Sequence, residues 1–373
     1  MKNYLRKMDS MQNCTRVSLR KIIIGFLAFI IAVALQITAR NNTGFADWYV
    51  DTVYPFWVST IGRFWSYVPF SAVEILLYAL IVGLVVGAGR GIWHMFRRKY
   101  KISDVLLSGA GTMVFLIGSL FCIYTAMCGI NYHATPFSER NGMELRTYTV
   151  AELTAYCEMI TDEVNLLSDQ VNREELKDLQ KNREEAVCSM KNLGEIYEGL
   201  SGYYPRPKGI WVSEILSCQH LTGVYSPFTI EANYNQDMTA YNIPFTMAHE
   251  LSHLRGFMRE DEANYIAYLA CSHSENTEFR YSGALMAWLY SSNLLYEYDP
   301  VTYEKLHGSL KPEVKKDLQE NTKFWDKYEG VVSEVADKVN DTYLKANKQT
   351  DGVQSYDRMV DLLMAEYLSG EEK

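Results

Sequence analysis

The sequence predicts an α+β, mostly helical protein in two parts, N-terminal transmembrane helices followed by a domain outside the cytoplasm. Three observations predict it. Long uncharged apolar runs are confined to residues before about 128, the charge changes sign there, and the remainder alternates helix-periodic stretches with a few short β-branched and aromatic runs. Of 36 basic and 45 acidic residues, positions 1–128 carry 13 and 5, which leaves 36 − 13 = 23 and 45 − 5 = 40 for positions 129–373. An acidic domain repels phosphate backbones, so nucleic acid is excluded as a partner. At 373 residues the chain has room for a membrane region (1–128) and a globular domain with its own core (129–373).

Three stretches approach the ~20 apolar residues that cross a bilayer: Ile22 to Thr38, somewhat short, Ala72 to Trp93, and Val105 to Cys128. Lys2, Arg6, Lys7, Arg16, Arg20 and Lys21 precede the first, and Arg97, Arg98, Lys99 and Lys101 separate the second from the third. Positive charge stays inside, so the N-terminus is expected in the cytoplasm of a multi-pass cell-membrane protein, and everything after Cys128 outside. Ala32-Val33-Ala34 also fits a signal-peptide cleavage site, and cleavage there leaves the later residues on the same side. The external loop Asn41 to Ser71 is rich in aromatics and suits the membrane interface. Glu74, the acid near a span end, is expected to snorkel.

Beyond Cys128, Asn131 to Tyr148 reads as an irregular connection broken by Pro136 and Gly142. Thr149-Val150-Ala151-Glu152 is a capping box that starts a helix, and a second helix is expected from about Asn172 to Leu200. Gly209 to Val212 and Gly223 to Asn233 read as strands. The last hundred residues read as helices over Ala284 to Tyr296, Pro312 to Lys345 and Val353 to Leu368. Cys157, Cys188, Cys218 and Cys271 allow three disulfide pairings in an oxidising compartment, with unpaired buried thiols the alternative.

The chemistry concentrates in His249-Glu250-Leu251-Ser252-His253. Residues four apart share a helix face, so His249 and His253 can hold one metal ion while Glu250 points at water in an open coordination position. Zinc accepts two imidazoles and a carboxylate with a fourth place free. Chance alone would produce the pattern in roughly one such chain in a hundred, so context decides its weight. Pro244 near the first turn, the apolar Met247, Ala248, Leu251 and Leu254, and Gly256 as a stop delimit a buried helix around it. Directly after it, Glu260-Asp261-Glu262 opens another helix, where acids also serve the helix dipole. Glu260 and Asn264 share a face, which favours Glu260 over Glu262 as third ligand, with the Asn264 amide receiving a ligand histidine's free N–H.

These residues resemble the gluzincin pattern of zinc metallopeptidases, H-E-x-x-H followed by a helix carrying E-x-x-x-N, here Glu260 to Asn264. The resemblance implies His249, His253 and Glu260 as zinc ligands, Glu250 as general base and Asn264 as a supporting partner. One departure is the short interval from His253 to Glu260, which is closer to the metzincin arrangement, whose third-ligand position is Arg259 here. Glu260 and Glu262 therefore both stay open. The whole chain, with its spans and the run Gly223 to Asn233, also resembles an uncharacterised bacterial family of membrane-bound zincin-like proteins. That resemblance implies a zincin-like domain using Gly223 to Asn233 as an edge strand for an extended peptide or protein substrate. The expected oxyanion donors are Tyr281, His273, Tyr356 and Tyr225, whereas His94, His133, His220 and His307 read as ordinary surface or core residues. The competing function is a non-catalytic zinc-binding membrane sensor or scaffold, against which Glu250 argues, because a structural site needs no such carboxylate. A transport role lacks buried charge clusters.

Overall fold

In the computed structural model, which describes residues 2–97, 101–347 and 358–371, apolar length organises the N-terminal part. Helices α1 (Lys2–Asn41), α2 (Ala72–Phe96) and α3 (Ile102–Tyr124) contain three stretches long and apolar enough to cross a membrane, Thr15–Asn41, Ala72–Phe96 and Ile102–Gly129. Each outruns its expected bounds, because flanking polar residues continue the helical hydrogen bonding. Gly25 and Gly118 bring the backbones of α1 and α3 into contact, and a Cβ on Gly111 would sit 2.9 Å from Ser18 O. Such close approach is how small residues pair helices where water drives nothing together.

The segment between α1 and α2 forms short helical turns, Thr43–Trp48 through Arg63–Ser66, that divide their aromatics between two environments. Tyr49 and Tyr54 are buried in the same core as the later helices, whereas Trp48, Phe56, Phe64 and Tyr67 are exposed. Asp47 receives the Thr135 N–H (2.7 Å) and pairs with Arg140 at 2.7 Å, so the segment is fastened to the domain rather than lying only in the interface. Glu74 does not snorkel. It is buried and accepts the Trp211 and Val212 backbone N–H groups at 2.9 and 3.0 Å and the Tyr78 hydroxyl at 2.8 Å. In the reverse direction Glu231 caps α2, accepting the Ala72 and Val73 N–H groups at 3.2 and 3.0 Å while paired with buried Lys208. Removing one partner of such a pair would strand a buried charge at a cost of about 3–5 kcal/mol.

The irregular connection holds two short helical turns, Asn131–His133 and Phe137–Arg140. Thr149 then caps α4 (Val150–Ser168) with the full capping box. The following helix is shorter than expected: Asp178 receives the Gln180 and Lys181 N–H groups and starts α5 (Leu179–Ile196). The sheet has β1 (Lys208–Ile210), β2 (Gly223–Ser226) and β3 (Glu231–Asn235) in the order β1-β3-β2, with β1 parallel and β2 antiparallel to β3. The run Gly223 to Asn233 is thus a hairpin and not one strand, reversing where Ile230 takes φ 53. Its first arm is the free edge.

Helix α6 (Asn242–Arg255), buried along nearly its whole length, packs between the sheet, α5, α7 (Glu260–Ser272) and α8 (Thr277–Tyr298). Trp288 of α8 donates its indole N–H to Thr161 of α4 at 2.9 Å, joining the outer layer to this centre. Then come α9 (Pro300–Ser309), α10 (Pro312–Trp325) and α11 (Val331–Ala346), so the helix expected over Pro312 to Lys345 is two, broken at Gly330. Helix α12 (Met359–Glu371) closes the core, and the expected start at Val353 lies outside the described residues. Cys157, Cys188, Cys218 and Cys271 are all free thiols.

Candidate metal site

Gly256 ends α6 in the left-handed region at φ 115, a conformation costly for residues with a Cβ. The reversal brings the Phe257 carbonyl back to His253, whose Nδ1 donates to it at 2.8 Å. That bond leaves the Nε2 lone pair of His253 facing outward from α6, the orientation a ligating histidine needs. One turn earlier, His249 stands with its ring 4.6 Å from that of His253, at 87° to it. The link from Gly256 to Arg259 is just long enough to place Glu260, the first residue of α7, against both rings. Its carboxylate lies 3.3 Å from His249 Nε2 and 3.6 Å from His253 Nε2.

The three donor atoms lie within 4.8 Å of one another. Ligands about 2.0–2.1 Å from a tetrahedral zinc stand roughly 3.3–3.4 Å apart; the 3.3 Å from His249 Nε2 to Glu260 Oε2 has that length, and the 3.6 Å from His253 Nε2 runs to the other oxygen, Oε1. Two neutral imidazoles and one carboxylate suit zinc in chemistry as well. Glu262 is elsewhere, accepting the Phe137 backbone N–H at 2.7 Å, and Arg259 pairs with Asp261 at 3.3 Å. Asn264 stands beside His249, as expected, and its side chain favours the protonated ring, while His249 Nδ1 and Asn264 Nδ2 have no partner at ordinary hydrogen-bond geometry.

Burial would by itself raise the Glu260 carboxyl, but His253 and His249 outweigh it and hold that carboxyl well below the usual carboxylate range. Burial would lower His253, yet Glu260 beside it pushes the ring up to about 9. His249 is lowered by burial and by its histidine neighbour. Glu250, 3% exposed, is pushed up to about 8 by burial. Its Oε2 has no hydrogen-bond partner, and Gly223 of β2 packs directly on its side chain. A buried, unsatisfied carboxyl beside an imidazole pair is an arrangement suited to moving a proton.

These groups open into a cavity of about 450 Å³ walled by the start of β2, by α6, by α8 and by Tyr343 of α11. Of the expected oxyanion donors, Tyr225 reaches the wall, but its hydroxyl is engaged with Tyr54 (2.9 Å) and Met127 O (3.1 Å). Tyr281 is bonded to Asp317 at 2.6 Å and His273 to Leu269 O at 2.9 Å, both away from the cavity, and Tyr356 lies outside the described residues. The cavity histidine beyond the ligand set is instead His220, with φ 53 and a buried, unpartnered Nε2. Sequence reasoning passed over it because it has no spacing relation to the motif. A non-glycine residue in the left-handed region is a local signal visible only in the folded backbone.

A family model described as "Protein of unknown function (DUF3810)" matches residues 49–364, most of the chain, and the chain belongs to that family. The match begins within the short helical segment and includes two of the three apolar spans. No curated protein and no solved structure matches.

Proposed function

We propose that this member of the DUF3810 family is a membrane-anchored zinc-dependent peptidase whose catalytic, zincin-like domain lies outside the cytoplasm. The observation that carries the reading is the convergence of His249, His253 and Glu260 within 4.8 Å beside a buried Glu250 with a free carboxylate oxygen. Arg97 and Lys101 around the connection of α2 to α3 support a cytoplasmic N-terminus and an external domain.

His249, His253 and Glu260 would hold zinc, which when bound would supply a Lewis acid and bring the pKa of water toward ~7. The positive charge of an ion on the three ligands would draw Glu250 to its ionised form, in which it would take a proton from the attacking water and return it to the departing amine; its Oε2 has no competing hydrogen bond. The unpaired edge of β2 offers backbone groups to an extended peptide or protein substrate, which holds the scissile bond in line with Glu250 across Gly223. His220 donates its ring N–H to the developing oxyanion.

The test uses the full chain, because residues 43–71 are packed into the domain. Metal content and cleavage of a mixed peptide library are measured for the wild type and Glu250→Gln. One zinc per chain in both, with cleavage by the wild type alone, is the expected result. A wild type without zinc overturns the proposal, and equal cleavage by both proteins overturns the role of Glu250. Zinc in both with cleavage by neither favours the sensor or scaffold reading.

A further inference from the structure

Helix α11 has three faces, not two. At about 100° per residue, Val331, Val335, Val339 and Val332 fall within an arc of roughly 100°. They are 75%, 55%, 63% and 62% exposed. Ser333, Ala336, Asn340 and Leu344 form a second stripe, small or polar for the most part, and these are the residues that turn inward. Glu334, Asp337, Lys338, Asp341 and Lys345 occupy the remaining face. A helix between a protein core and water buries its apolar stripe and exposes its charges. This one buries only Ser333 and Leu344, half-buries Ala336 and Asn340 and leaves its valines outside, so its outer apolar face is left uncovered by the described residues of this chain.

The fastening of α11 indicates what covers it. Tyr124, within the apolar stretch Ile102–Gly129 and about 7–8 Å of helix rise from its end, donates its hydroxyl to Asn347 Oδ1 at 3.1 Å, and the same oxygen lies 3.3 Å from the Tyr343 hydroxyl. The Tyr132 hydroxyl reaches Tyr343 at 3.2 Å. The C-terminal end of α11 is therefore held at the depth where a span leaves the hydrocarbon, the zone in which tyrosines concentrate. Other exposed apolar side chains sit next to the same ends of the spans: Trp48 after α1, and Trp211 on the loop that Glu74 of α2 holds.

We propose that α11 lies on the outer surface of the bilayer with Val331, Val332, Val335 and Val339 in lipid, its charged face in water and its serine and asparagine face against the domain. A three-faced helix of this kind belongs in the crease between membrane, solvent and protein. The docking rests on the spans being in a bilayer and not on the peptidase reading. Because Asn340 and Tyr343 wall the metal cavity, a consequence that does rest on that reading is that the substrate is a chain segment presented at the membrane surface.

The experiment places an environment-sensitive fluorophore on a single added cysteine, Val335→Cys, Val339→Cys or Asp337→Cys, in the full chain carrying Cys188→Ser. The chain is reconstituted in phosphatidylcholine–phosphatidylglycerol vesicles, and the Cys188→Ser protein without an added cysteine supplies the labelling background. Several-fold stronger quenching by a nitroxide on the lipid tails at 335 and 339 than at 337, with aqueous iodide showing the opposite order, is expected. Iodide reaching 335 and 339 as freely as 337 overturns the proposal by placing the helix in water. Exclusion of both quenchers overturns it in favour of a protein partner. Neither readout depends on metal or on turnover.

Discussion

Replacing Gly223 by alanine tests whether β2 and Glu250 form one working unit. The position itself has no need of glycine's positive φ, so the added methyl is the whole perturbation. A Cβ there would stand 2.8 Å from Glu250 Cγ and 2.8 Å from the Asn233 carbonyl, and closer still to Glu250 Oε1. Ordinary contact begins at 3.4 Å, so the neighbours must yield by 3.4 − 2.8 = 0.6 Å, more at the carboxylate. Asn233 is backbone of the central strand and yields little, which directs the movement onto Glu250 and the edge of β2. Overpacking of this size costs about 1–3 kcal/mol of stability. Misplacement of a catalytic group by about 1 Å costs roughly 10²-fold in rate, so a shift of this extent is expected to lower kcat/KM by roughly 10- to 100-fold. His249, His253 and Glu260 are not touched, and zinc stoichiometry should hold. The assay is kcat/KM on a peptide selected from the library, with zinc content and melting temperature measured on the same samples. Activity within twofold of wild type in a folded, zinc-loaded Gly223→Ala protein would refute the coupling of strand and carboxylate.

Glu260→Gln is expected to lose stoichiometric zinc, whereas Glu262→Gln keeps it, since Glu262 serves the Phe137 N–H and an amide oxygen can still accept that bond. Zinc retention by the first variant and loss by the second would reverse the ligand assignment. His220→Ala should lower kcat by about 10²- to 10³-fold with zinc retained and KM changed far less, and an unchanged kcat removes His220 from the reaction. Glu366 has its carboxyl raised above 4.5 by burial, partly offset by the Tyr265 hydroxyl that donates to it at 3.2 Å. The folded state therefore holds this proton more tightly than the unfolded state, and stability falls as pH rises from about 4.5 toward the folded value. Glu366→Gln should thus gain melting temperature relative to wild type between pH 4 and 7; parallel curves would show that Glu366 contributes nothing to the slope.

Features written in local periodicity or composition were legible without a structure. The apolar runs mark α1, α2 and α3, Thr149 with Glu152 marks the start of α4, and the H-E-x-x-H run with Gly256 behind it marks α6 and its end. In each case neighbours within a few residues carry the decisive energy, whether hydrogen-bond closure, capping or helix phase. Other outcomes turned on groups far apart in the chain. Gly223 to Asn233 has the composition of one strand, and its hairpin follows from pairing β2 with β3 while helix α6 covers them. Glu74 resembles any acid at a span end until Trp211 and Val212 present their amides to it. Glu260 and Glu262 are equivalent in sequence to within two positions; the phase of α7 against α6 points one at the histidines and the other at Phe137.

What the sequence by itself determined is therefore the set of chemical parts, three apolar stretches and a helix bearing two histidines and a glutamate, because those depend on spacing along one chain segment. Tertiary structure alone decided which carboxylate joins the histidines, that Gly223 bears on Glu250, that His220 enters the cavity, and that the valines of α11 are left outward. Those are contacts between segments whose relative placement is set by packing the whole core, a many-body balance that no local pattern encodes.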